Sequence, residues 1–257
     1  MTGVPAALVS ALSAAGCVAA DEEAAELVAA AGGNADLLEE LVERRLRGEP
    51  LAWITGTVRF CGLPVRVDPG VYVPRWQSEP LVRRALARLG QEGTAVDLCT
   101  GSGAVAMVLA VRRPRARVLA SEVDPAAVAC AAANGVDVRR GDLFAPIPGD
   151  LGGRVDVVVG VVPYVPTPAL GTLPRDTLAF ERPLSYDGGT DGTEVLRRAV
   201  VGAARFLRPG GALLLELGGT QHEALGDDLR RHGFVDVHVV VDGDGDVRGI
   251  EATSVGD

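Results

Sequence analysis

From residue 94 onward, short apolar runs alternate with segments of helical spacing, and a glycine-rich turn marks the first change-over. This alternation constrains the fold most strongly. A strand followed by a crossover helix returns beside its starting strand in parallel, and repeats of that unit build a doubly wound sheet. Strands are predicted over 95–98, 117–122, 136–139, 155–159 and 212–217, and helices over 104–112, 125–133, 195–207 and 223–232. Residues 155–159 carry four valines around Asp156, apolar enough for a strand covered on both faces. Two further strands, 235–241 and 249–254, have no helix between them, so they are expected to pair antiparallel through the turn at 242–246. The fold class is therefore α/β, a Rossmann-like sheet ending in an antiparallel hairpin.

Ahead of the sheet, residues 4–48 read as helices. Asp21-Glu22-Glu23 places acids at a helix N-terminus, Gly32-Gly33 closes that helix, and Asn34 caps the next. Leu37, Leu38, Leu41, Val42 and Leu46 then form one apolar stripe. Residues 52–67 alternate around Gly56 and Cys61-Gly62, which predicts a β-hairpin, and a helix is expected over 78–89. The expected division is a small helical domain over 1–50, a β-hairpin linker over 51–75 and a catalytic domain over 76–257.

Composition excludes several functions. Hydrophobic residues make up 47% and aromatic residues 4%, so the core is built from Val, Leu and Ala. A net charge of -9 argues against direct binding to nucleic acid or to an anionic membrane. No run of 18 apolar residues is present, and residues 1–5 lack the basic start of a signal peptide. Cys17, Cys61, Cys99 and Cys130 are scattered, as expected of reduced thiols in a cytoplasmic protein. His222, His232 and His238 make no metal-binding pattern, and the 242–246 acids lack the twelfth-position acid of a calcium loop, so no metal is expected.

The turn Cys99-Thr100-Gly101-Ser102-Gly103 lies between a strand and a helix, where glycine lets the backbone approach a ligand. Glu122, with Val123 beside it, stands at the end of the next strand, about 20 residues on, where a ribose diol is bound. Asp97, just before the turn, suits a cationic amine. Asp142 with Leu143, after the third strand, suits an adenine amino group and the face of its ring. Together these point to S-adenosylmethionine. A dinucleotide is the rival reading, because residues 101–106 fit Gly-x-Gly-x-x-Ala. A pyrophosphate there would face the Asp97 carboxylate, which disfavours it.

The chain resembles the HemK/PrmC family, which methylates a glutamine side-chain amide in peptide-chain release factors. The resemblance runs from about residue 51 to the C-terminus. It rests on Leu51-Ala52-Trp53-Ile54-Thr55-Gly56, on Pro69-Gly70-Val71-Tyr72-Val73-Pro74-Arg75 with Ser78-Glu79, and on residues 97–103. It rests also on Glu181-Arg182-Pro183, Gly188-Gly189-Thr190-Asp191-Gly192 and Glu216-Leu217-Gly218 with Gln221. It implies a class I methyltransferase sheet with S-adenosylmethionine as cofactor and S-adenosylhomocysteine as product. It also implies a release-factor-like protein as partner, with a small-molecule acceptor as the alternative. The family carries Asn-Pro-Pro-Tyr after its fourth strand; this chain reads Val161-Val162-Pro163-Tyr164. The Asn orients the acceptor amide by donating to its carbonyl and accepting from its N–H. Val161 does neither, although it keeps that position between cofactor and acceptor. Val162, Pro163 and Tyr164 are the expected catalytic residues, and Arg75, Gln77 and Ser78 are candidates to supply the missing hydrogen bonds.

Overall fold

Three helices, α1 (Ala6–Ala14), α2 (Ala20–Ala31) and α3 (Ala35–Leu46), begin the chain, whose computed structural model describes residues 4–173 and 175–256. Residues 1–3, part of the argument against a leader, lie outside the described residues. The expected caps form: Gly32 ends α2 with φ 58°, and the Asn34 side chain accepts from the Leu37 N–H at 3.2 Å. Leu8, Leu12, Leu27 and Leu41 close a separate small core, to which Ile54 contributes.

Ile54 belongs to an element that the hairpin expectation missed. Residues Leu51–Thr55 form a short helix, α4, ended by Gly56 at φ 78°. Ala52, Trp53 and Ile54 are all buried, Ile54 in the helical core and the other two under the 67–73 segment. A strand would send neighbouring side chains to opposite faces of one sheet, whereas a helical turn fans them over a wider arc. The hairpin is therefore only β1 (Thr57–Phe60) and β2 (Leu63–Arg66), joined through Cys61 and Gly62, both at positive φ. Trp53 Nε1 donates to the Val71 carbonyl at 2.9 Å and so ties down the loop that leads to Arg75.

After a 3-10 turn at Trp76–Ser78 come α5 (Glu79–Arg88), β3 (Thr94–Leu98), α6 (Ala104–Arg112), β4 (Arg117–Glu122), α7 (Pro125–Ala133) and β5 (Val138–Arg140). Then follow β6 (Val155–Gly160), α8 (Arg175–Phe180), α9 (Glu194–Phe206), β7 (Leu207–Glu216), α10 (Gln221–Ala224), α11 (Gly226–Arg231), β8 (Phe234–Val241) and β9 (Val247–Ser254). The predicted helix over 223–232 is thus two short ones. Gly226 weakens a continuous helix there, and Leu225 turns inward with no exposed surface.

The seven-stranded sheet runs β5-β4-β3-β6-β7-β9-β8. β5, β4, β3, β6 and β7 are parallel, and β9 enters antiparallel between β7 and β8, as expected of the C-terminal hairpin. All four β6 valines have no exposed surface. The chain order reverses between β3 and β6, and the crevice beyond the carboxyl ends of strands at such a point is where ligands bind. Among the described residues no helix is long and apolar enough to cross a membrane.

Candidate active site

The turn after β3 is set by backbone conformation. Cys99, Gly101 and Gly103 have φ of 53°, 57° and 84°. Cys99 holds a left-handed position that favours glycine, at the cost in strain that a side chain brings there. A Cβ on Gly103 would stand 2.8 Å from Val136 Cγ2 and 3.0 Å from Ala131 Cβ, so that glycine seats the turn against α7. A Cβ on Gly101 would meet nothing within 4 Å, since that residue faces open space.

Asp97 does not reach this space. It is 1% exposed and is not on the cavity wall. Its Oδ2 accepts from Thr100 Oγ1 at 2.5 Å and from the Ala106 N–H at 3.1 Å. Within the chain the carboxylate clasps the turn and the first turn of α6. Burial pushes its carboxyl up to about 7, against the two hydrogen bonds that favour the charged form. A carboxyl raised on folding binds more protons folded than unfolded between its unfolded value, near 4, and about 7, so its contribution to stability falls as pH rises through that window. Asp97→Asn keeps an acceptor oxygen and loses the titration. Urea unfolding at pH 5 and pH 7.5 is expected to show the variant gaining on the parent at the higher pH; an equal difference at both would contradict this origin.

Glu122 ends β4 with its side chain under the turn. Its Oε2 accepts from the Gly101 N–H at 2.9 Å, and its Oε1 accepts from the N–H groups of Val123 and Asp124 at 2.8 and 3.0 Å. Oε1 has both lone pairs engaged; Oε2 keeps one, on the cavity side. Asp142 lies across the cavity in an ion pair with Arg198 of α9. Both side chains are about half exposed, so the pair adds little to stability and leaves the second Asp142 oxygen available. Leu143, expected against an adenine face, has φ 46° and its side chain is buried in the hydrophobic core, and it is not among the residues that line the cavity. The apolar wall comes instead from Val123, Val161, Leu184 and Val195.

These groups enclose a cavity of about 430 Å³. Ser102 Oγ, on its wall, is buried without a partner, a polar atom waiting for one. A second cavity, of about 420 Å³, adjoins the first. Tyr72, Arg75, Val161 and Ser185 line both, so the two meet at the Val161 position.

Residues 161–164 divide between the cavities. Pro163 faces the first and Tyr164 the second, while the Val162 side chain is 1% exposed in the core and only grazes the second. The Tyr164 hydroxyl donates to Glu216 Oε1 at 3.0 Å, and its carbonyl accepts from Gln221 Nε2 at 2.7 Å. A Cβ on Gly188 would stand 2.7 Å from Tyr164 Cα, and one on Gly192 would fall on the Tyr164 carbonyl oxygen. The glycines at 188 and 192 therefore let that loop close over Tyr164.

The three loop candidates differ. Arg75 Nη2 pairs with Glu181 Oε1 at 2.8 Å, and its guanidinium lies 5.3 Å from the Tyr72 ring centroid. Its charge is already committed to a carboxylate with no exposed surface. Gln77 lies on the second cavity with a buried, unpartnered Oε1. Ser78 is buried, favours the charged form of the Glu216 carboxyl and borders the first cavity. Sequence reasoning gave no role to Tyr72, Ser185, Arg198 or Glu216. Glu216 carried a signal, as the acid of its motif; Arg198 carried none, because its pairing arises from how α9 packs.

No protein-family model matches the chain. It is 40% identical over 218 residues to the release factor glutamine methyltransferase of Moorella thermoacetica, covering 81% of this chain and 75% of that protein. It is 38% identical over 211 residues to the enzyme of the same name from Geobacter sulfurreducens, covering 80% and 73%. Among solved structures it resembles the T. thermophilus 16S rRNA N2 G1207 methyltransferase in complex with AdoMet and guanosine. That match has a TM-score of 0.53 at 22% identity, over 78% of this chain and 44% of that one, and shows the fold alone. With relatives this similar over three quarters of their length, the chain belongs to the S-adenosylmethionine-dependent release factor glutamine methyltransferase family.

Proposed function

We propose that this methyltransferase transfers the methyl group of S-adenosylmethionine to the side-chain amide nitrogen of a protein glutamine, the substrate being a release factor as its relatives' names indicate. The observation that carries this reading is the meeting of two cavities at Val161. One has the polar groups for a nucleoside; the other holds Tyr164 and Glu216 beside it.

The residues present fit the methyl donor. The free lone pair of Glu122 Oε2 accepts from a ribose hydroxyl, and Asp142 from an adenine amino group. Val123 supports the base, and the turn 99–103 approaches the remainder, with Ser102 Oγ available as a donor. When bound, S-adenosylmethionine supplies an electrophilic methyl on a sulfonium. The chain's residues hold the acceptor nitrogen in line with it, which is the larger part of catalysis for so weak a nucleophile. The Val162 carbonyl and the Tyr164 ring border the acceptor. Arg75 fixes the loop above it, and Gln77 and Ser78 lie within that loop.

Mass spectrometry of a bacterial release factor incubated with the enzyme and labelled S-adenosylmethionine tests this. One methyl on a glutamine is expected; an unlabelled protein would refute it. A less polar small-molecule acceptor is the second reading, favoured by Val161 alone. Val161→Asn is expected to raise glutamine methylation by about 10-fold, one recovered buried hydrogen bond. Unchanged or lower turnover in steady-state assays would show that the pocket no longer uses that group.

A further inference from the structure

The register of the sheet places a carboxylate beside the position where the asparagine is missing. Gly160, the last residue of β6, is the partner of Leu215 of β7, and the residues that follow, Val161 and Glu216, both line the second cavity at the carboxyl edge of these parallel strands. On its other flank Glu216 pairs with Gly249 of β9, which has no side chain to crowd it. Glu216 is 4% exposed and lies on the wall of the second cavity. Its Oε1 accepts from the Tyr164 hydroxyl at 3.0 Å, and Ser78 helps to hold the carboxyl in its charged form. Its Oε2 is buried and has no partner among the described residues.

A carboxyl whose only task was to hold Tyr164 would need one oxygen. The second, buried and unpaired, costs free energy unless a ligand fills it. Gln77, which lines the same cavity, also has a buried oxygen with no partner among the described residues. Two such acceptors on residues that line one cavity match a ligand with two donors, and a primary amide carries two N–H bonds.

We propose that Glu216 is a catalytic residue whose Oε2 accepts an N–H of the acceptor amide and removes its proton, doing from β7 part of what an asparagine at 161 would do from β6. In the transfer the nitrogen lone pair forms the N–CH3 bond, and the S–CH3 bond pair goes to sulfur. The N–H bond pair returns to nitrogen, and the proton passes to Oε2 and then to water. Burial raises the Glu216 carboxyl above its ordinary value, against the Ser78 and Tyr164 hydrogen bonds and the charge of Arg248, so it accepts a proton more readily than a solvated carboxylate.

This inference rests on reading the acceptor as an amide, and its test separates the two. In Glu216→Gln, the Tyr164 hydroxyl still demands an acceptor, so the amide oxygen turns to it and an NH2 replaces Oε2. Glutamine-peptide methylation is expected to fall by about 100-fold in kcat, with the S-adenosylmethionine Kd within about twofold. In calorimetry with S-adenosylhomocysteine present, the parent is expected to bind N-acetylglutamine about tenfold better than its N,N-dimethylated side-chain analogue, which lacks N–H. Glu216→Gln should lose that preference. A parent with no preference, or a variant that retains it, would overturn the proposal. A parent that prefers the primary amide yet never methylates a glutamine would overturn the broader functional reading and the proton transfer with it, and leave only the amide-binding role of Glu216 standing. If Glu216→Gln does not fold, Glu216→Asp serves, since it keeps the charge and withdraws the oxygen by one methylene.

Discussion

Glu122→Ala is expected to weaken S-adenosylmethionine binding by about 10- to 100-fold, the cost of one or two charge-assisted hydrogen bonds. Two effects combine. The variant removes the oxygen that would accept from the ribose. It also frees the N–H groups of Gly101, Val123 and Asp124, which converge on this one carboxylate. Glu122, proposed as a ligand group, is also the link that holds the glycine turn of β3 to the end of β4. Calorimetry measures the Kd directly. Glu122→Gln separates the parts, because its oxygen can still serve two of the three backbone donors while the charge is gone. An alanine variant with parental affinity would remove Glu122 from the binding site altogether.

Arg75→Ala is expected to have the largest effect on stability. It removes the guanidinium from Glu181, whose side chain has no exposed surface and whose Oε1 also accepts from the Val73 N–H at 3.1 Å. Breaking a buried pair costs about 3 kcal/mol, because the remaining charge stays buried. For a chain of this size that corresponds to a fall in Tm of roughly 6–12 °C. Differential scanning calorimetry measures it, and a Tm within about 2 °C of the parent would contradict the account. Adding Glu181→Gln to Arg75→Ala should recover part of the loss, since the buried charge is then gone. The same pair anchors the loop that roofs both cavities, so methyl transfer should fall even where the variant is folded.

Some of this was legible before any tertiary contact. The valines of β6, the alternation that follows residue 94 and the glycines at 101 and 103 are local signals, and the strands they predict are all present, while the helix expected over 223–232 is divided in two. Elsewhere local pattern misled. Leu51-Ala52-Trp53-Ile54 is apolar in either state, and only burial against two different cores settles it as helix. Residues 187–193 show no period because they pack on Tyr164 and Gln221 rather than within a regular element.

The candidate site divides in the same way. The sequence by itself determined the parallel α/β framework, the glycine turn, and acids at 97, 122 and 142, because strand period, glycine freedom and strand-end position are properties of neighbours along the chain. Only the tertiary structure decided what each acid does. Asp97 turns inward because Thr100 and the first turn of α6 supply its donors, while Glu122 keeps one lone pair toward the cavity. Only the β6–β7 register brings Glu216 next to Val161, residues 55 positions apart in the chain. A side chain's direction and its neighbours across a sheet depend on packing between distant segments, and no local pattern encodes that.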